Sequence, residues 1–194
     1  MILSKKDYKH YRTRDRLAIG EKPSLLRYWF SDRWQFLRRM RRLEYVYNCH
    51  FPRFVVEFHR YRFLRISQKI GYSIPINTCG PGLSIAHRGT IAINGGAKLG
   101  ENCRVHVCVN IGTEAGLNNV APKIGNNCYI APGAKLYGDI VIGDNVIVGA
   151  NAVVNRSFPE GNCTIAGVPA KVVSNRSARE VLHIDGQIRP DVQV

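Results

Sequence analysis

Between residues 93 and 154 a branched aliphatic side chain returns at every sixth position. Ile93, Leu99, Val105 and Ile111 form one run, and Ile124, Ile130, Leu136, Ile142, Val148 and Val154 form a second. A helix repeats near 3.6 residues and a strand near two, so neither accounts for a strict six. A three-sided coil does. Each flat side takes about six residues, its aliphatic points into a narrow interior, and successive coils stack at the strand spacing of ~4.8 Å. The residue after each aliphatic is mostly small or turn-forming, as in Asn94, Gly100, Gly125, Ala131 and Gly143, which places the corners there.

The beat slips once inside this region. Ile111 and Ile124 are thirteen residues apart, so "GTEAGLNNVAPK" holds a loop thrown out of the coil, and such insertions collect on a binding face. Before the repeat the period is helical. Leu26, Phe30, Trp34, Leu37 and Met40 predict a helix from Ser24 to about Asn48, with Arg38, Arg39, Arg41 and Arg42 on a solvated face. Phe51, Phe54, Phe58, Tyr61 and Leu64 predict the apolar face of a second helix, with Pro52 in its first turn. Pro75 and Gly80-Pro81-Gly82 end the helical part. The division expected is a helical segment over 1–73, a repeat domain over 74–173 and a tail over 174–194.

Charge follows the same division. Residues 1–75 carry 18 Lys and Arg against 6 Asp and Glu, and the remainder carries 10 against 8. A nucleic-acid or membrane-surface function would rest on the basic helices alone. The aromatic spacing assigns those rings to a core, so no nucleic acid is expected, and a peripheral membrane contact stays open. The six cysteines show no CxxC pair and no partnered His spacing, which fits buried thiols in a reducing cytoplasm rather than disulfides or a zinc site. The N-terminus lacks the apolar centre of a signal peptide.

The stretches "IGNNCYIAPGAKLYGDIVIGDNVIVGANAVV", "GLSIAHRGTIAIN" and "IAGVPAKVV" resemble the hexapeptide-repeat acyltransferases, in their serine acetyltransferase-like branch, which includes capsular and exopolysaccharide O-acetyltransferases. The resemblance implies a mainly β protein, a left-handed parallel β-helix behind an N-terminal α-helical segment. It implies a homotrimer with sites between subunits, and acetyl-CoA as acetyl donor. It assigns His87 as the base that takes the acceptor's proton, a role suited to imidazole near neutral pH. Read by register alone, His87 stands six before Ile93 and would be an interior structural side chain. His106, after Val105, either faces the same cleft or is an exposed corner. The resemblance sets Ala131, Pro132, Ala150, Asn155, Arg156 and Lys171 along CoA, and no metal is needed.

Three positions depart from the branch's serine pocket. The Asp expected before the catalytic His is Ala86, and the His and Arg expected before Pro122 are Val120 and Ala121. The orienting carboxylate expected about fifteen residues upstream falls near Tyr72, leaving Glu114 as a candidate replacement. Unpaired charges in a desolvated site are costly, so these losses favour an uncharged carbohydrate hydroxyl in polysaccharide biosynthesis. Arg88, Glu114 and Asn118 are the candidates for holding it. The alternatives are a serine O-acetyltransferase and, of another class, a module binding polyanions or membrane surfaces through the basic helices.

Overall fold

A computed structural model of the chain describes residues 1–20, 30–116 and 120–182. Its strands form three sheets that the chain visits in rotation. The first side holds β1 (Tyr72–Ser73), β3 (Ile91–Ile93), β6 (Asn110–Gly112), β9 (Lys135–Tyr137) and β12 (Val153–Val154). The second holds β4 (Lys98–Leu99), β7 (Lys123–Ile124) and β10 (Val141–Ile142), with bridges that add Cys79 and Phe158. The third holds β2 (Ser84–Ile85), β5 (Arg104–Val105), β8 (Tyr129–Ile130), β11 (Ile147–Val148), β13 (Thr164–Gly167) and β14 (Ala170–Ser174). Every pairing is parallel except β13 with β14.

The aliphatic of each side sits over that of the coil beneath it. Ile93 stands opposite Ile111, Ile111 opposite Leu136, and Leu136 opposite Val154. Leu99, Ile124 and Ile142 make the second column, and Val105, Ile130 and Val148 the third. None of the ten is more than 4% exposed, and each buried aliphatic contributes ~1.5–3 kcal/mol. Cys103, Cys128 and Cys163 join the same core.

The corners lie elsewhere than the sequence suggests. Left-handed backbone falls three residues after the aliphatic, at Asn102, Asn127 and Asn145 (φ 55°, 55° and 62°), not one residue after. Asparagine tolerates this region because its short amide can bond locally. Here the amides bond one another: Asn102 Nδ2 donates to Asn127 Oδ1, Asn127 to Asn145 and Asn145 to Asn162, at 3.1, 3.1 and 2.9 Å. Arg14 donates to Asn102 at the helical end of the ladder. The glycines directly after the aliphatics serve close approach instead. A Cβ on Gly143 would come 2.3 Å from the carbonyl oxygen of Pro159 in the next coil.

The helical part differs from the sequence reading in three respects. A helix the spacing does not predict, α1 (Lys5–Ala18), precedes the others; its buried residues are Asp15 and Ala18, which give no apolar stripe. Next, α2 spans Asp32–Asn48 and begins at Ser31, whose side chain accepts from the Trp34 amide, so the expected helix does not run unbroken through this point and Phe30, expected on its apolar face, is exposed; Ser24 and Leu26 lie outside the described residues. Finally, α3 (Arg53–Ile70) buries Val56, Phe63, Ile66 and Ile70, while Phe54, Phe58, Tyr61 and Leu64 are exposed. The core-forming stripe lies on the opposite face of the helix from the expected one.

One arginine fastens helices to coil. Arg41 is wholly buried, contrary to its expected place on a solvated face. It bonds Asp15 at 2.7 Å and Glu44 at 3.0 Å, and donates to the carbonyls of Cys79 and Gly80 at 2.8 and 2.7 Å. Asp15 in turn accepts from the amides of Gly82 and Leu83. Burial opposes the charge on Arg41, but the two carboxylates outweigh it and its guanidinium is held even more firmly protonated than usual.

Candidate active site

The third column continues backward through Ile85, which stands opposite Val105. Ile85 and Ile93 are eight residues apart, so the side between them holds two residues more than a hexad. The surplus shifts the register, so His87 takes the outward place two residues after the aliphatic that Val107, Pro132 and Ala150 hold in later coils. His87 is exposed, and the interior position that its six-residue distance from Ile93 suggests belongs to Ile85.

The turn so formed is pinned from several directions. Tyr72 Oη donates to the His87 carbonyl at 2.7 Å. From α2, Arg33 donates to the Ala86 carbonyl at 2.7 Å, and Asp32 holds Arg88 at 2.9 Å. Gly89 adopts φ +132°, and a Cβ there would lie 2.5 Å from Val107 Cγ2, so glycine alone fits. Arg33 and Asp32 were not singled out in the sequence; a helix predicted from Ser24 places them mid-helix, and its period says nothing about where that helix docks. Tyr72 occupies the position of the missing carboxylate, yet it fixes the backbone of His87 rather than its ring. Arg88, expected to hold substrate, is occupied by its ion pair with Asp32.

His106 lies one coil further on, its ring centre 6.1 Å from that of His87. It is buried, which removes the exposed-corner reading. Arg104 Nε donates to His106 Nε2 at 3.4 Å, and the ring packs on Tyr129 at 4.9 Å between centres. Burial foremost, then the Arg104 charge and His87, push the His106 pKa down to about 4. His106 is therefore neutral at physiological pH, with Nε2 engaged as an acceptor. It suits a positioning role beside His87 better than that of a second base.

A single corner collects most of the other expected positions. Ala86, His106, Ala131 and Gly149 follow the third-side aliphatics in successive coils, each amide bonded to the coil beyond. One residue later come His87, Val107, Pro132 and Ala150, with Pro132 and Ala150 exposed. Lys171 extends this column: it pairs across from Ala166, whose Cβ would meet a Cβ on Gly149 at 2.8 Å. The result is a row of mostly small side chains with His87 at one end and a cation at the other. Asn155 and Arg156 do not join it. They follow Val154 at the neighbouring corner, where Arg156 stacks on Phe158 at 5.4 Å.

The remaining candidates separate. Glu114 is exposed in the inserted loop, its carboxylate 3.5 Å from where a Gly138 Cβ would stand, and it makes no bond to the His87 ring of its own chain. Asn118 lies outside the described residues. Val120 and Ala121 bring no charge to the site. Cys103 is buried, and its thiol is pushed well above the ordinary range by bonding to Cys128 and by burial, which makes it a poor nucleophile. Among the described residues no group of three His, Cys, Asp or Glu converges as a metal site, and no helix is long and apolar enough to cross a membrane.

Comparison with known proteins agrees with the coiled fold. Residues 121–156 match the family described as bacterial transferase hexapeptide (six repeats). A serine acetyltransferase of Synechococcus elongatus is 35% identical over 113 residues, which cover 58% of this chain and 46% of the relative. Its counterpart from Staphylococcus xylosus is 37% identical over 120 residues, covering 57% and 54%. The chain thus spans about half the length of the curated relatives it matches. The crystal structure of Neisseria gonorrhoeae serine acetyltransferase superposes with a TM-score of 0.70 at 25% identity, over 90% of this chain and 68% of that one. Serine acetyltransferase from Brucella abortus, in complex with Coenzyme A, gives 0.68 at 22% identity, over 89% and 70%.

Proposed function

We propose that this protein is an acetyl-CoA-dependent O-acetyltransferase in which His87 is the general base. The observation that carries the reading is the exposed His87, at the head of the row continued by Pro132 and Ala150 and with the buried His106 ring 6.1 Å away. Acetyl-CoA supplies the acetyl group as a thioester, and the row of Ala131, Pro132 and Ala150, with Lys171 beyond, offers small side chains to a narrow chain and a cation to its phosphates. His87 takes the acceptor's hydroxyl proton as the oxygen bonds to the thioester carbon. The carbon–sulfur bond then breaks, and the imidazolium returns that proton to the departing sulfur. His106, neutral and fixed by Arg104, holds its place against the His87 ring without competing for the proton.

The relatives' names point to serine as acceptor, in preference to the carbohydrate hydroxyl that the sequence suggests; none of them names a carbohydrate. A second reading, an uncharged acceptor such as a sugar, is kept by one observation. Ala86, Val120 and Ala121 offer no partner for the ammonium or carboxylate of a free amino acid. The reading includes a left-handed winding and a trimer, in which a neighbouring subunit walls the exposed side of His87.

Thiol release from acetyl-CoA, measured with serine and with neutral sugars, separates the acceptors. Robust turnover with serine removes the sugar reading, and its absence removes serine. His87→Ala is expected to lower kcat by about 10²–10⁴-fold and to leave CoA affinity unchanged. Undiminished transfer by that variant would place the base elsewhere.

A further inference from the structure

Between the helices lies a cavity of about 190 Å³ that the acetyl-transfer reading does not use. Five arginines line it: Arg12 from α1, Arg38, Arg39 and Arg42 from α2, and Arg62 from α3. His59 completes the wall, and no carboxylate is among the lining residues described. The contrast with Arg41 on the same helix is sharp, because two carboxylates neutralise that guanidinium. Among the described residues, Asp32 bears on this group through Arg39, and it is already bonded to Lys69 and Arg88 at 2.9 Å each.

The guanidinium groups are held in place rather than left to swing in solvent. Arg12 packs over Tyr8 and Trp34 at 5.3 and 5.8 Å, Arg42 over Tyr8 and Tyr45 at 5.7 and 5.6 Å, and Arg62 over Phe58 at 5.5 Å. Arg39 is fixed by bonds to Gln35 and to the Arg62 carbonyl. Two donors inside the group, Arg12 Nε and Arg39 Nε, are buried with no hydrogen-bond partner among the described residues. Burying a charged donor without an acceptor is costly, and crowding like charges adds to the cost. The crowding is visible in Arg38, whose pKa falls to about 10 through burial first and then through Arg12, Arg39 and Arg62.

We infer that this cavity is a binding site for a diphosphate-type oxyanion, held by the five arginines between the three helices. Planar guanidinium forks match phosphate oxygens two at a time, and five cations exceed what a single orthophosphate would neutralise. The diphosphate group belongs either to a free solute or to a lipid headgroup. The exposed Phe54, Phe58, Tyr61 and Leu64 beside Arg62 lie where acyl chains would meet the protein in the second case.

The test uses the whole chain and inorganic diphosphate, by calorimetry and thermal shift at low and high salt. Diphosphate is expected to raise Tm at low salt, and less at high salt because the site is charge-driven. Arg12→Gln and Arg42→Gln should each weaken binding at least tenfold, whereas Arg60→Gln, outside the cavity, should leave it unchanged. Arg42→Lys keeps the charge and should weaken it less than Arg42→Gln. Sedimentation with vesicles carrying a polyprenyl diphosphate lipid assigns the source: capture that inorganic diphosphate displaces indicates a headgroup, and diphosphate binding without capture indicates a free solute. No heat and no Tm shift at millimolar diphosphate would overturn the site, as would binding insensitive to both glutamine variants. These readouts are independent of acetyl transfer, so either reading can fail alone.

Discussion

The coil and the helices that cap it solve the same packing problem by opposite means. In the coil nothing charged enters the interior, and order comes from repetition, one aliphatic over another on three sides. In the cap the interior is built around Arg41, Asp15 and Glu44, whose bonds are each unique and directional. A column of aliphatics tolerates exchange because any branched side chain of similar size fills the slot. A buried charge cluster does not, because each partner is what makes the others tolerable. The comparison teaches that this molecule's stability is spread evenly along the coil and concentrated at one joint in the cap.

The sharpest way to break that contrast is at the joint. Arg41→Ala strands Asp15 and Glu44 in the interior and is expected to cost about 3–5 kcal/mol, read as a fall in the urea midpoint. A loss below ~1 kcal/mol would show that the cap is not organised around this residue. In the coil, Leu136→Ala should cost about 2–5 kcal/mol by leaving a void, and truncations in the neighbouring slots should cluster in the same range. A single slot that dominated the rest would contradict the even distribution.

Acid separates the regions next. His106 is held with a pKa of about 4, well below that of an exposed imidazole, so the unfolded chain takes up the proton first as pH falls. Its contribution is complete above the ordinary imidazole value and is lost as pH drops toward 4, by at most about 3 kcal/mol. His106→Gln should flatten that limb of a denaturation-against-pH series. An unchanged limb would place the acid sensitivity elsewhere. The smallest effect belongs to the outer face of the cap. Phe58→Ser should change stability by no more than about 0.5 kcal/mol, because the ring is 56% exposed.

The same contrast explains what could be read from the chain. All ten slots from Ile93 to Val154 were legible, because a period imposed by a narrow interior leaves its mark on every coil. The register before Ile93 was not, since two surplus residues at the His87 turn shift Ile85 and Cys79 out of the beat. That slip was itself the signal of the site, and it is hidden when the six-residue count is carried through it. In the cap, a three-to-four spacing cannot tell which of two apolar stripes faces inward. Phe54, Phe58, Tyr61 and Leu64 satisfied the pattern as well as Val56, Phe63, Ile66 and Ile70 did. The helix Lys5–Ala18 was invisible because the group it buries deepest is a carboxylate. The approach of His106 to His87 depends on vertical stacking between coils, which follows from the period only once the slip has been placed.

Both ends of the coil are stopped. At one end Arg41 claims the carbonyls of Cys79 and Gly80, and the three helices pack over the first turn. At the other, only the third side continues past Phe158, and its last strand, β14, reverses direction against β13. A stack of parallel edges is otherwise an open template on which identical molecules could add head to tail without limit. By plugging one mouth with charge and turning the last described strand back at the other, the chain carries its own terminators against head-to-tail fibre growth.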